Sequence, residues 1–393
     1  MNHKQPLGIY LHIPFCVQKC LYCDFLSFPV GKTTEQSAEQ KKCQNYMEAL
    51  LMEIEHASKM IDITSYEIQT IFIGGGTPSL INEDYITKTL CKLNELFSVS
   101  DHPEITIEAN PGTLTESKLH SYRNAGINRL SIGLQSTQNE ELRRLGRIHT
   151  YEEFLESYQM AREAGFENIN VDLMTALPGQ TMEDLKENLE RVIALHPEHI
   201  SAYSLIIEEG TPYAKLYQEE DLPPEETDRE MYAMTGSMLA AAGYHRYEIS
   251  NYALDGYESR HNTSYWKRIP YLGLGLGASS LMNETRWKNE DRLEAYIEEI
   301  QQGNLPRHFE VEKLTTQAQM EEFMFLGLRM LEGVSSVEFE RTFGKSLQEV
   351  YGRELNAMIS EGLLICYDHH QDLFYCLTLR GLDLSNYVFE QFL

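Results

Sequence analysis

Three cysteines stand close together in YLHIPFCVQKCLYCDFLS, at positions 16, 20 and 23, and no fourth follows them. Thiolates at this CxxxCxxC spacing can point inward from one tight loop, as iron–sulfur ligands must, and Phe15, Leu21 and Phe25 are placed to shield a cluster. A structural zinc site would want a fourth Cys or His nearby. Three ligands on a four-iron cluster leave one iron open, and an open position means chemistry or substrate binding. Cys43, Cys91, Cys366 and Cys376 share no such spacing and read as small, mostly buried apolar residues.

Other polar residues fall where a pocket could use them. In TIFIGGGTPSL, glycines follow a strand-like run, and the missing side chains at Gly75 and Gly76, beside Thr77, let backbone approach a ligand closely. Glu108 in TIEANPG, Gln135 in SIGLQS and Asp172 in NVDLMTALPG lie at the carboxyl ends of successive strand-like runs. In a barrel those ends converge on one pocket. Arg147, in LRRLGRIH, could hold a carboxylate by two parallel hydrogen bonds. His12 and His149 read as local hydrogen-bonding residues.

The elements that must position these residues alternate. GIYLHI, TIFIGGGT, EITIEANP, RLSIGLQS, NINVDLMTALP and HISAYSLII are β-rich, and segments such as TYEEFLESYQMAREAG and TMEDLKENLERVIALHP between them have apolar residues at helical spacing. Six βα units reach about residue 215, short of the eight of a closed barrel, so an incomplete (β/α)6 TIM-like barrel is expected. After an acidic link come a helix through MYAMTGSMLAAAG and strand-like pieces that should extend the sheet or flank its open edge. From GNLPRHFEVEKLT onward, helices end in a hairpin, LICYDHHQDLFYCLTLRGLDL, the pattern of a winged helix. The expected division is a core at 1–215, a barrel-flanking extension at 216–310 and a C-terminal helical, winged-helix-like domain at 311–393.

Charge narrows the partners. With 60 acidic against 33 basic residues among 393, the net charge of -27 repels phosphate backbones, so nucleic acid is not an expected partner, and the C-terminal unit reads as a packing or docking module. No run of about 18 apolar residues suggests a membrane span, and the first residues lack the pattern of a signal peptide. A cytoplasmic location is expected, where a reducing medium keeps clustered thiols available for metal.

CxxxCxxC just after the first strand of a βα repeat resembles the radical S-adenosylmethionine (SAM) enzymes, whose open iron chelates the amino and carboxylate groups of SAM. The resemblance implies a [4Fe-4S] cluster on Cys16, Cys20 and Cys23, and it places Gly75, Gly76 and Thr77 at the SAM amino group. Glu108, Gln135, Arg147 and Asp172, with Tyr10, Tyr22 and Ile206, match SAM-contacting positions of the coproporphyrinogen-dehydrogenase branch. The likeness covers nearly the whole chain, the C-terminal module included.

Within that branch two subfamilies share the frame. The oxygen-independent coproporphyrinogen III dehydrogenases continue their loop as CxxxCxxCxC and carry an N-terminal extension, whereas here Asp24 and Phe25 follow Cys23 and fifteen residues precede Cys16. In SRHNTSYWKR, His261, Asn262, Tyr265 and Trp266 form HNxxYW, similar to the haem-binding signature of the HemW-type haem chaperones. Imidazole is a common axial haem ligand, aromatic rings pack against porphyrins, and Arg260, Lys267 and Arg268 would suit propionates. The resemblance therefore implies a haem chaperone serving client haem proteins such as respiratory enzymes, with its haem donor unnamed and a homodimer among the open cases. An oxygen-independent coproporphyrinogen III dehydrogenase is the alternative, and RNA modification is disfavoured by the acidic surface.

Overall fold

The computed structural model describes residues 4–31 and 37–393. Six strands, β1 (Gln5–Ile13), β2 (Tyr66–Gly75), β3 (Val99–Ala109), β4 (Arg129–Gln135), β5 (Ile169–Thr175) and β6 (His199–Ser204), pair in parallel in chain order. Helices α1 (Ala38–Met60), α2 (Glu83–Leu96), α3 (Glu116–Asn124), α4 (Tyr151–Glu163) and α5 (Met182–Ile193) lie between them, and α6 (Glu225–Ala241) follows β6. Strand interiors such as Ile169–Val171 are wholly buried because helices cover the outer face and side chains fill the inner one. Reciprocal caps, Thr150 with Glu153 and Thr181 with Asp184, start α4 and α5 by pairing backbone donors that the first turn leaves free.

The segments after β6 extend the sheet on both sides. Tyr271–Leu274 pairs parallel with β1, and Ser279–Met282, Thr285–Asn289 and His308–Lys313 continue antiparallel from it. On the far edge, Asn251–Ala253 runs antiparallel to β6 and pairs with His245–Arg246. The result is one open sheet of twelve strands among the described residues. Apolar residues of this region, Leu239, Leu272 and Tyr296 among them, join the core of the six βα units. A separate core, including Met324, Phe339, Leu355 and Tyr375, belongs to the C-terminal unit. There, helices Thr316–Gly327, Ser336–Phe343 and Leu347–Ser360 stand against a three-stranded sheet with the hairpin Leu364–His369 and Asp372–Leu377, matching the winged-helix pattern.

Two expectations need correction. Ile206 lies beyond β6, because the chain leaves the sheet after Ser204, and it is 68% exposed. Cys91, on α2, and Cys366, on the hairpin, are exposed on solvent-facing sides of their elements, whereas Cys43 and Cys376 are buried. The HNxxYW stretch forms a helix, α7 (Arg260–Trp266), capped by the Ser259 hydroxyl, which accepts from the Asn262 N–H.

Candidate metal and ligand centre

The cysteine loop leaves the carboxyl end of β1 and is tied down at several points. Phe28 N–H donates to Pro14 O and Val30 N–H to Cys16 O, while Leu21 bonds through its N–H to Leu145 O and through its O to Tyr213 N–H. Cys16 is buried, and Cys20 and Cys23 are partly exposed. All three line one cleft with Gly75, Gly76, Glu108, Gln135, Arg147 and Asp172. Among the described residues, no three His, Cys, Asp or Glu side chains close on a single point as ligands of one ion would. Three thiols on one loop lining one cleft are the donor set that a four-iron cluster with one open iron would use.

The glycines serve the loop directly. A Cβ on Gly76 would come within 2.7 Å of Phe15 O, and Gly75 has φ +113°. This lets Gly76 N–H donate to Ile13 O and Thr77 N–H to Phe15 O, seating the end of β2 against the loop's entry. The close backbone approach is thus to the chain itself. Gly75 N–H also donates to Glu108 Oε2 at 3.0 Å.

Arg147 joins several parts of the site. Its guanidinium donates to Asn110 Oδ1 at 2.7 Å and Gly133 O at 2.6 Å, and one Nη lies 3.4 Å from Cys20 Sγ. Asn110 Nδ2 donates to Thr77 Oγ1, whose hydroxyl points at Cys16 Sγ. Sequence reasoning missed Asn110, although it stands two residues after Glu108 and alternation along an extended chain puts both on one face. Gln135 ends β4 with φ 75°, a strained conformation for a side-chain-bearing residue, and lines the cleft. Burial, and then the neighbouring Asp172 carboxylate, pushes Glu108 up to about 7. Asp172 is also raised by burial, while accepting from Asn170 and Ser131.

Tyr10, Tyr22 and Phe25 are arranged unequally. Tyr10 points into the barrel beneath the loop, stacked on Phe72, with its hydroxyl 3.0 Å from His12 Nδ1. His12 Nε2 lies 2.8 Å from Leu26 O and His149 Nε2 3.2 Å from Leu134 O, the local roles expected of both. Tyr22 packs with Leu145, Met174 and Leu177 and also lines the cleft. Phe25 lines the cleft beside the cysteines and is 65% exposed where the loop turns back after Cys23. Ile206 is not brought to the cleft lining.

The HNxxYW helix sits at the opposite end of the barrel, against the beginnings of β1 and β2. His261 is 1% exposed, with Nδ1 2.8 Å from Thr70 Oγ1 and Nε2 2.9 Å from Tyr265 OH, and its ring stacks on Phe72. Burial, and then Arg129, lowers it to about 3, so the ring is neutral. Glu104 holds the helix start, accepting from Arg260 N–H and His261 N–H at 2.9 Å each. Trp266 lies under the Arg329 guanidinium at 4.3 Å, and its buried Nε1 has no hydrogen-bond partner among the described residues. Of the expected basic spot, Arg268 is taken up by Glu284 and Glu322, Arg260 by His102 O and Gln69, and Lys267 stands 3.6 Å from Glu332. No helix among the described residues is long and apolar enough to cross a membrane.

Residues 10–192 match the model of the radical SAM superfamily, and 314–384 that of the HemN C-terminal domain. The chain is 38% identical to "Heme chaperone HemW" of Bacillus subtilis over 98% of both chains. It belongs to the HemW family of radical SAM proteins. The HemW relatives of Lactococcus lactis and Escherichia coli are 36% and 34% identical, each over 99% of this chain and 98% of theirs. In fold the chain is similar to the Escherichia coli coproporphyrinogen III oxidase HemN, with a TM-score of 0.83 and 24% identity over 99% of this chain and 90% of that one. The α/β barrel with a helical C-terminal region is therefore the fold of its family.

Proposed function

We propose that this protein is a haem chaperone that binds haem and delivers it to haem-requiring proteins, respiratory enzymes among them. The observation that carries the reading is near-full-length identity of 38% to a protein named a haem chaperone, joined to an HNxxYW segment built as a discrete helix. At the other end of the barrel, Cys16, Cys20 and Cys23 would hold a [4Fe-4S] cluster. When bound, its open iron would chelate SAM among Gly75, Gly76, Thr77, Glu108, Gln135, Arg147 and Asp172. Tyr10 and Tyr22 would support that pocket from below and from the loop.

His261 is the proposed iron ligand, and Asn262, Tyr265 and Trp266 belong to the same haem-binding helix. With both ring nitrogens hydrogen-bonded, His261 reaches iron only when α7 gives up its bonds to Thr70 and Tyr265. Two such bonds cost about 1–3 kcal/mol to exchange, an amount that ligation can repay.

Titration of the full chain with haem, followed by absorbance with and without reconstituted cluster, tests the reading. We expect saturable binding by the wild type and weaker binding by His261→Ala. Wild-type protein that binds no haem, or that decarboxylates coproporphyrinogen III at an appreciable rate once its cluster is rebuilt, would overturn it in favour of the dehydrogenase.

A further inference from the structure

Helix α7 has a second face. Arg260, Thr263, Ser264 and Lys267 recur at helical spacing on the side away from His261 and line a cavity of about 690 Å3. That volume lies within the ~300–1,000 Å3 typical of small-molecule sites. The cavity opens between the amino-terminal ends of β1 and β2 and the C-terminal unit, which contributes Met330 and Leu331. It is remote from the cysteine cleft, with which it shares no lining residue.

We infer that this cavity seats the haem macrocycle, with His245 as an iron ligand and Lys267 facing a propionate. The inference deepens the haem-carrying reading and rests on it. Leu7, Ile269, Met330 and Leu331 give the cavity apolar surface for a flat ring, and Lys267, half-exposed and 3.6 Å from Glu332, supplies a cation for a carboxylate.

His245 is the histidine that lines this cavity, and its side chain is 38% exposed. Its Nε2 lies 2.8 Å from Glu258, which lines this cavity and a neighbouring one. Its Nδ1 lies 3.2 Å from Asp255. That Nδ1 is buried and has no hydrogen-bond partner among the described residues, with the exposed Asp255 carboxylate as the nearest acid to take its proton when the other nitrogen binds a metal. Ligation then replaces only the Nε2 contact, with the partly exposed Glu258 carboxylate turning to water.

His261 lies just behind the same cavity. Thr70 and Gly8 form part of its lining, and Thr70 bonds His261 while a Cβ on Gly8 would come 3.5 Å from the His261 ring. Release of α7 therefore presents His261 to the space that His245 already faces.

The test is haem titration of full-length wild type, His245→Ala and Lys267→Ala, read by affinity and by the absorbance and electron paramagnetic resonance signature of the bound iron. His245→Ala should change the iron's coordination signature and weaken binding by about tenfold or more, equivalent to ~1.4 kcal/mol. Lys267→Ala should weaken haem binding severalfold, keep the wild-type signature and leave binding of the propionate-esterified haem unchanged. Both side chains are partly exposed, and unchanged thermal melts certify the fold. If wild type binds haem while His245→Ala matches it in signature and affinity, the inference falls and the haem-carrying reading stands. If wild type binds no haem, the reading itself falls.

Discussion

The two ends of the barrel handle reactive groups in opposite ways. At the carboxyl ends of the strands, two of three thiols are partly exposed on a loop whose backbone is anchored but whose cysteines line a cleft. At the amino ends, the candidate imidazole is sealed, with both nitrogens paired and a helix locked over it by Glu104. On the proposed reading, the first end offers its thiols to a cleft. On the same reading the second would have to open, which would couple uptake there to the stability of α7.

The largest effect that should separate the ends comes from the thiols. Cys20→Ala or Cys23→Ala should abolish cluster incorporation, read as loss of iron–sulfur absorbance after anaerobic reconstitution, while the melting temperature of the cluster-free protein stays near wild type. Haem titration of the same variants should retain wild-type affinity. Loss of haem binding along with the cluster would show that the ends do not act independently.

This contrast also explains what was legible in the sequence. The parallel strands announce themselves through continuous β-branched and aliphatic runs such as TIFIG and RLSIG, because both of their faces are buried. The polar residues at their carboxyl ends are legible from chain position alone. Helix α7 is not, because its seven residues span two turns and its buried face carries His261 and Tyr265, polar groups that look solvent-bound until the hydroxyl of Thr70, far away in the chain, is seen to pair with one of them. Asn110 was hidden for a related reason. Its partners Thr77 and Arg147 come from two different βα loops. Ile206 misled because an apolar run, SLII, continues past the point where the ladder ends.

A second, smaller effect concerns the base of the cysteine loop. Glu53, fully buried on α1, accepts from Gly275 N–H, Asn289 Nδ2 and Tyr296 OH, and Tyr46 OH donates to His12 O at the foot of the loop. Burial outweighs those three donors and pushes Glu53 up to about 7. A raised carboxyl pKa favours the protonated folded state. Its contribution is fully present below the unfolded value of ~4.5 and is lost as pH rises through about 7. Wild type should therefore lose on the order of 3 kcal/mol at most from this group between pH ~5 and ~8 in urea unfolding. Glu53→Gln should be less stable at the acid end, because its amide cannot accept from every donor, and should lack that slope. An equal slope in both proteins would assign the pH dependence to other groups.

The smallest effect bears on the closed end. Thr70→Val keeps the side-chain shape but removes the hydroxyl that pairs with His261 Nδ1, at a place where Thr70 is 3% exposed. Leaving one buried nitrogen unpaired should cost about 1 kcal/mol of stability, seen as a melting point about one degree lower. The same bond must break before His261 can meet iron, so the variant has already given up what haem would otherwise have to displace. Haem affinity should then rise by up to about fivefold, the equivalent of ~1 kcal/mol. Tyr265→Phe, which frees the other nitrogen, should move stability and affinity in the same opposite directions. Stability and haem affinity falling together in both variants would mean that the closed His261 supports the binding surface as built, and that opening of α7 is no part of haem uptake.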